Sequence, residues 1–150
     1  MKRLSLWSMV VLFTVGANAA IADVIHVPGD FPQIHAAVQA AASGDTVLVA
    51  AGTYTDCTHP SEGPGSTLAC VLMKSGVTLR GAGPQATIVD AQQLGRGIVA
   101  LNVHHCRIEN LQVTGAFAEV YGAGILLKHV PSSVTMTDVR VEGNTDGGII

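Results

Sequence analysis

The sequence predicts an all-β solenoid, short strands stacked turn upon turn, behind a single short N-terminal helix. Three observations predict it. Two blocks of the second half repeat at a nearly constant spacing. The composition favours β-branched residues and glycine over aromatics. Only one stretch of the chain has helical period.

The chain has 150 residues and a formal net charge of −3. Lys2 and Arg3 precede an apolar run from Leu6 to Val15, which ends in the small residues Gly16-Ala17-Asn18-Ala19-Ala20-Ile21-Ala22. This three-part pattern predicts a secretory signal peptide over residues 1–22, with small-x-small cleavage after Ala19 or Ala22. The run is too short for a membrane anchor, which needs ~20 apolar residues. The protein is therefore expected to be exported, secreted or periplasmic, with no membrane span after signal removal. Two of its eight basic residues leave with the signal, so eleven acidic side chains outweigh the rest. No basic patch remains, which argues against nucleic acid as a partner.

Removing Trp7 and Phe13 leaves Phe31, Tyr54, Phe117 and Tyr121 as the aromatics. The core must come from Val, Ile, Leu and Ala, a mixture suited to short strands joined by tight turns. The helix is predicted to begin after Asp30, an N-cap with Gln33 three residues on. Pro32 fits the first turn. Ile34, Ala37, Val38 and Ala41 form one apolar face, and Gly44 ends the element. The strand Thr46-Val47-Leu48-Val49-Ala50 follows.

Cys57 and Cys70 flank a Pro- and Gly-containing polar loop. In an exported protein this predicts a disulfide, stabilising by roughly 3 kcal/mol. Free thiols, or a metal site using His59, are the alternatives; no spacing supplies the further ligands a metal needs. Cys106 is left as a buried free thiol.

Beyond the loop, apolar segments alternate with glycine turns. Gly97-Ile98-Val99-Ala100-Leu101 matches Gly124-Ile125-Leu126-Leu127-Lys128 at an offset of 27, and a third copy begins at Gly148-Ile149-Ile150. Ile108-Glu109-Asn110-Leu111-Gln112-Val113 matches Met136-Thr137-Asp138-Val139-Arg140-Val141 at an offset of 28. Such periods mark repeat arrays. Leu111-Gln112-Val113 and Val139-Arg140-Val141 alternate strictly, as half-buried strands do. No helical period recurs in these units, so a β-solenoid remains.

The stretch from Ile25-His26-Val27-Pro28-Gly29-Asp30-Phe31-Pro32-Gln33 through Gly44-Asp45-Thr46-Val47-Leu48-Val49 to Ala51-Gly52-Thr53-Tyr54 resembles the opening of the pectin-lyase-like superfamily. Val77-Thr78-Leu79-Arg80-Gly81-Ala82-Gly83 resembles its first coils. The resemblance implies a right-handed single-stranded parallel β-helix, with the α-helix as N-terminal cap. Residues 23–150 would then be the N-terminal part of that domain. The last repeat breaks off with no cap, so the chain is expected to be truncated at its C-terminus.

The resemblance also implies an acidic polysaccharide as partner and leaves two function classes open. One is a lyase, hydrolase, esterase or epimerase. The other is a non-enzymatic surface, adhesive or periplasmic accessory protein. No catalytic motif transfers residue by residue. Lys128 and Arg140 are candidates for binding a uronate carboxylate, and Tyr121 and Phe117 for stacking on a sugar ring. Asp138, Glu142 and Asp146, spaced by four with Asn144 nearby, are candidate Ca²⁺ ligands, although Ca²⁺ takes six to eight oxygens. A solvated polar surface explains the same residues. His104-His105-Cys106 looks metal-binding, but adjacent side chains of an extended segment diverge. His26, His35 and His129 stand isolated in the sequence.

Overall fold

A computed structural model describes residues 21–61, 67–118 and 121–150. The expected signal peptide over residues 1–22 therefore lies, apart from its last two residues, outside the described residues. So do the middle of the Cys57–Cys70 loop and part of the turn after Ala116. Among the described residues no helix is long and apolar enough to cross a membrane.

The elements in order are β1 (Val24–Val27), α1 (Ile34–Ala40), β2 (Thr46–Val49), β3 (Gly52–Tyr54), β4 (His59–Ser61) and β5 (Thr67–Leu72). There follow β6 (Thr78–Arg80), β7 (Thr87–Asp90), β8 (Gly95–Leu101), β9 (Cys106–Thr114), β10 (Ala123–Lys128), β11 (Val134–Val141) and β12 (Gly147–Ile149). A seven-stranded sheet runs β1-β2-β6-β9-β7-β3, with β11 also paired to β9. A five-stranded sheet runs β12-β10-β8-β5-β4.

This architecture corrects the expected right-handed parallel β-helix. The strands gather into two sheets, and the described residues form no closed solenoid. The reason lies in β9, which pairs with β6 over Arg107–Glu109 and with β7 over Gln112–Thr114. Its chain bends between those halves at Asn110, whose φ is +54°. One left-handed residue turns the strand without ending its ladder, so rows that separate faces would keep apart are joined. The hairpin β4–β5 is antiparallel and breaks the uniform stacking.

Within this frame the repeat appears as pairing register. Ile98 lies beside Ile125 and Ile108 beside Met136, both in parallel ladders. Asp138, the repeat partner of Asn110, bends β11 in the same way with φ +50°. Asn and Asp tolerate that conformation better than most residues. Val47, Leu79, Ile98, Ile108, Leu111 and Ile125 are fully enclosed in the main core. Burying side chains of this size stabilises by about 1.5–3 kcal/mol each before chain entropy is counted.

Helix α1 covers one flank of this core with Ile34, Ala37 and Val38. Its start differs from the expected one. Gln33 is the N-cap and makes no side-chain capping bond. Asp30 instead closes the preceding turn, accepting the His26 N–H at Oδ2 (2.7 Å). At the far end Asp45 accepts the N–H groups of Asp23 (2.9 Å) and Ala42 (2.7 Å), tying the helix exit to the start of β1. Those backbone donors hold its carboxyl below the usual carboxylate range.

Cys57 and Cys70 form a disulfide, and Cys106 is a buried free thiol. The bridge brackets β4. Replacing both half-cystines by Ala is expected to lower unfolding free energy by about 3 kcal/mol through the freed loop. Urea denaturation of the oxidised protein and the variant checks this; equal midpoints would contradict it.

Candidate functional site

The five-stranded sheet carries a second apolar cluster, separate from the main core. Ala69, Val99 and Leu126 form it, with Leu72 and Leu101 packed against them. Register builds it: Leu72 lies beside Val99, Val99 beside Leu126, and Leu101 beside Lys128. Three adjacent strands thus align aliphatic side chains in one row.

Two clefts border this row. One, of about 350 Å³, is lined by His35, Gln39, Pro60, Leu72, Met73, Val99 and Leu101. The other, of about 220 Å³, is lined by Tyr121, Leu126, Leu127, Lys128 and Ile150. The paired residues Val99 and Leu126 contribute one to each. The arrangement offers an apolar floor, an exposed aromatic ring and a cation at one end, and an imidazole at the other. Sugar rings present apolar faces and a polar rim, so this combination suits them.

Tyr121 is 46 % exposed, and its backbone is held from two sides. Arg96 Nε donates to the Tyr121 carbonyl (3.0 Å), and Asp146 Oδ2 accepts the Gly122 N–H (2.8 Å). Asn144 Oδ1 accepts the Ala116 N–H (2.9 Å) at the start of the same turn. Arg96 is fully buried and also donates from Nη1 to Ser61 Oγ in β4 (2.8 Å). Burial pushes its guanidinium pKa below the ordinary value. One side chain therefore joins the β4 hairpin, β8 and the Tyr121 turn.

Of the substrate-binding candidates, Tyr121 and Lys128 share a cleft. Arg140 does not join them. It lies on β11 in the other sheet and pairs with Glu142 (2.8 Å). Phe117 is 43 % exposed in the turn that carries Tyr121.

The three Ca²⁺ candidates have separate structural roles. Asp138 is the corner residue of β11. Glu142 accepts from Arg140 and from Gln112 Nε2 (3.0 Å). Asp146 pins the Tyr121 turn. Among the described residues no three His, Cys, Asp or Glu side chains are grouped to hold a metal ion. His104 and His105 are exposed and meet edge to face, whereas Cys106 is buried.

Sequence reasoning missed Arg96 and the contact between His35 and His59, whose rings stack with centroids 3.6 Å apart. For Arg96 a signal was present: a lone cation between Gly95 and Gly97 in an apolar strand cannot remain buried without partners. For the histidines no local pattern existed, since they meet across a helix and a hairpin.

Comparison with protein-family models, characterised proteins and solved structures finds no match to this chain.

Proposed function

We propose that the protein is exported and binds an acidic polysaccharide along the aliphatic row of the five-stranded sheet. The observation that carries this reading is the cleft shared by Tyr121, Leu126 and Lys128 beside that row. A sugar ring would stack on the Tyr121 face, and a uronate carboxylate would meet the Lys128 ammonium. The row Leu72-Val99-Leu126 would underlie neighbouring sugars. The signal-like N-terminus supports the compartment.

Titration calorimetry with pectate and alginate oligomers tests the reading. Tyr121→Ala is expected to weaken binding about tenfold, the equivalent of the ~1.4 kcal/mol a good stacking contact contributes. Lys128→Ala should weaken binding of uronate oligomers, leave neutral dextran oligomers unaffected, and remove part of the salt dependence. Equal binding of neutral and acidic oligomers, insensitive to both substitutions, would refute it.

A further inference from the structure

His35 on α1 and His59 on β4 stack with their ring planes inclined by 21°. His35 Nδ1 accepts the Leu72 N–H of β5 at 3.2 Å. An imidazole nitrogen that accepts a hydrogen bond carries no proton, so this ring is neutral in the closed arrangement. On the other side of the stack, His59 Nε2 lies 3.6 Å from Asp56 Oδ2. Both atoms are shielded from solvent and make no hydrogen bond at that separation. Helix, hairpin and sheet edge thus meet at one pair of titratable rings.

We propose that the His35–His59 stack is a proton-operated latch between α1 and the β4 hairpin, closed while His35 is neutral and released when His35 takes up a proton.

Protonation at Nδ1 replaces the acceptor of the Leu72 N–H with a second donor, and the two repel. If both stacked rings are charged, a single carboxylate, Asp56, faces two cations. The disulfide between Cys57 and Cys70 brackets β4 and does not respond to the proton. Release is therefore a limited movement of the tethered strand β4 beside the cleft that His35 and Pro60 both line.

The surrounding charges do not blur this reading. On the other elements packed here, Lys74 Nζ is held by the Gln39 (3.0 Å) and Ala41 (2.6 Å) carbonyls at the helix exit. Arg96 reaches Ser61, two residues beyond His59. Burial holds the His35 pKa below its ordinary value; His59 acts in the same direction and Asp56 opposes them. A pKa lowered by folding means that the unfolded chain binds the proton more readily. The stabilisation contributed by neutral His35 is thus complete above about pH 6.5 and is lost as pH falls through the lowered folded value.

Nitrogen-15 NMR of the Leu72 amide and both imidazoles, from pH 8 to 4.5, tests the latch and needs no ligand. In the native protein the Leu72 amide should change shift and lose exchange protection together with His35 protonation, with a midpoint below 6.5. His59→Phe keeps a flat ring in the stack and should raise the midpoint. Asp56→Asn should lower it. His35→Gln, whose Oε1 still accepts from Leu72, should abolish the step and retain protection. The latch is refuted by a Leu72 amide indifferent to pH in the native protein. A step that survives His35→Gln, or midpoints that move the same way in the other two variants, would refute it equally.

Discussion

Gly97→Ala is expected to destabilise the fold by about 3–4 kcal/mol, at or above the top of the usual range for overpacking. A Cβ at Gly97 would overlap Val113 Cγ1 on β9 and come within 2.5 Å of the Gly124 carbonyl oxygen on β10. The first obstacle is a β-branched side chain in the main core, and the second is backbone already set by the parallel ladder. Neither can move without disturbing a neighbouring strand. Gly124 repeats the situation, with Val141 Cγ1 at 2.5 Å and Asn144 Nδ2 at 2.6 Å from its added Cβ. Gly148 occupies the third repeat position, yet there the nearest atoms lie at 3.5 Å, ordinary van der Waals contact. Gly148→Ala should therefore change stability by less than about 0.5 kcal/mol. Urea denaturation of the two variants gives the comparison. Equal losses at 97 and 148 would show that the glycines serve the backbone conformation of the repeat and not close packing.

The same glycines show how far the sequence can be read. Gly97 and Gly124 stand at equivalent points of the repeat, and their offset is the register that places Ile98 beside Ile125. Alternation in Leu111-Gln112-Val113 correctly separates buried from half-exposed positions. The closure of the strands was not legible. A single left-handed Asn110 or Asp138 bends the chain while the ladder continues, so the period is the same whether the faces separate or merge. The row of four-residue spacings at Asp138, Glu142 and Asp146 suggested convergence for a related reason. Spacing along the chain says nothing of direction when a corner, a strand end and a turn follow one another. The helix start was misplaced because Asp30 found a nearer backbone donor in His26. Lys128 and Tyr121 were legible as surface chemistry, but their neighbourhood depends on strand pairing, and so does that of His35 and His59.

Arg96→Ala is expected to lower stability by about 4 kcal/mol and to remove the proposed carbohydrate binding with Tyr121 still in place. Arg96 is fully enclosed and donates to two different elements, at the Ser61 hydroxyl and the Tyr121 carbonyl. Truncation deletes charge-assisted hydrogen bonds, each contributing about 1.5–3 kcal/mol, and leaves a space where the guanidinium packed. Recovery of the desolvation cost of a buried cation offsets part of that loss. Ser61 retains a partner, because its hydroxyl also donates to the Thr67 carbonyl (2.5 Å). The Tyr121 carbonyl loses its Arg96 donor, so the turn should loosen before the hairpin does. Arg96→Lys separates packing from fixation. A lysine fills much of the volume and keeps the charge, but its ammonium lacks the planar fork that spans both partners. It should recover about half of the stability and little of the binding, with faster amide exchange at Gly122. If Arg96→Lys binds acidic oligomers as tightly as the unsubstituted protein, Tyr121 is positioned without Arg96, and the Asp146 and Asn144 contacts suffice to hold the turn.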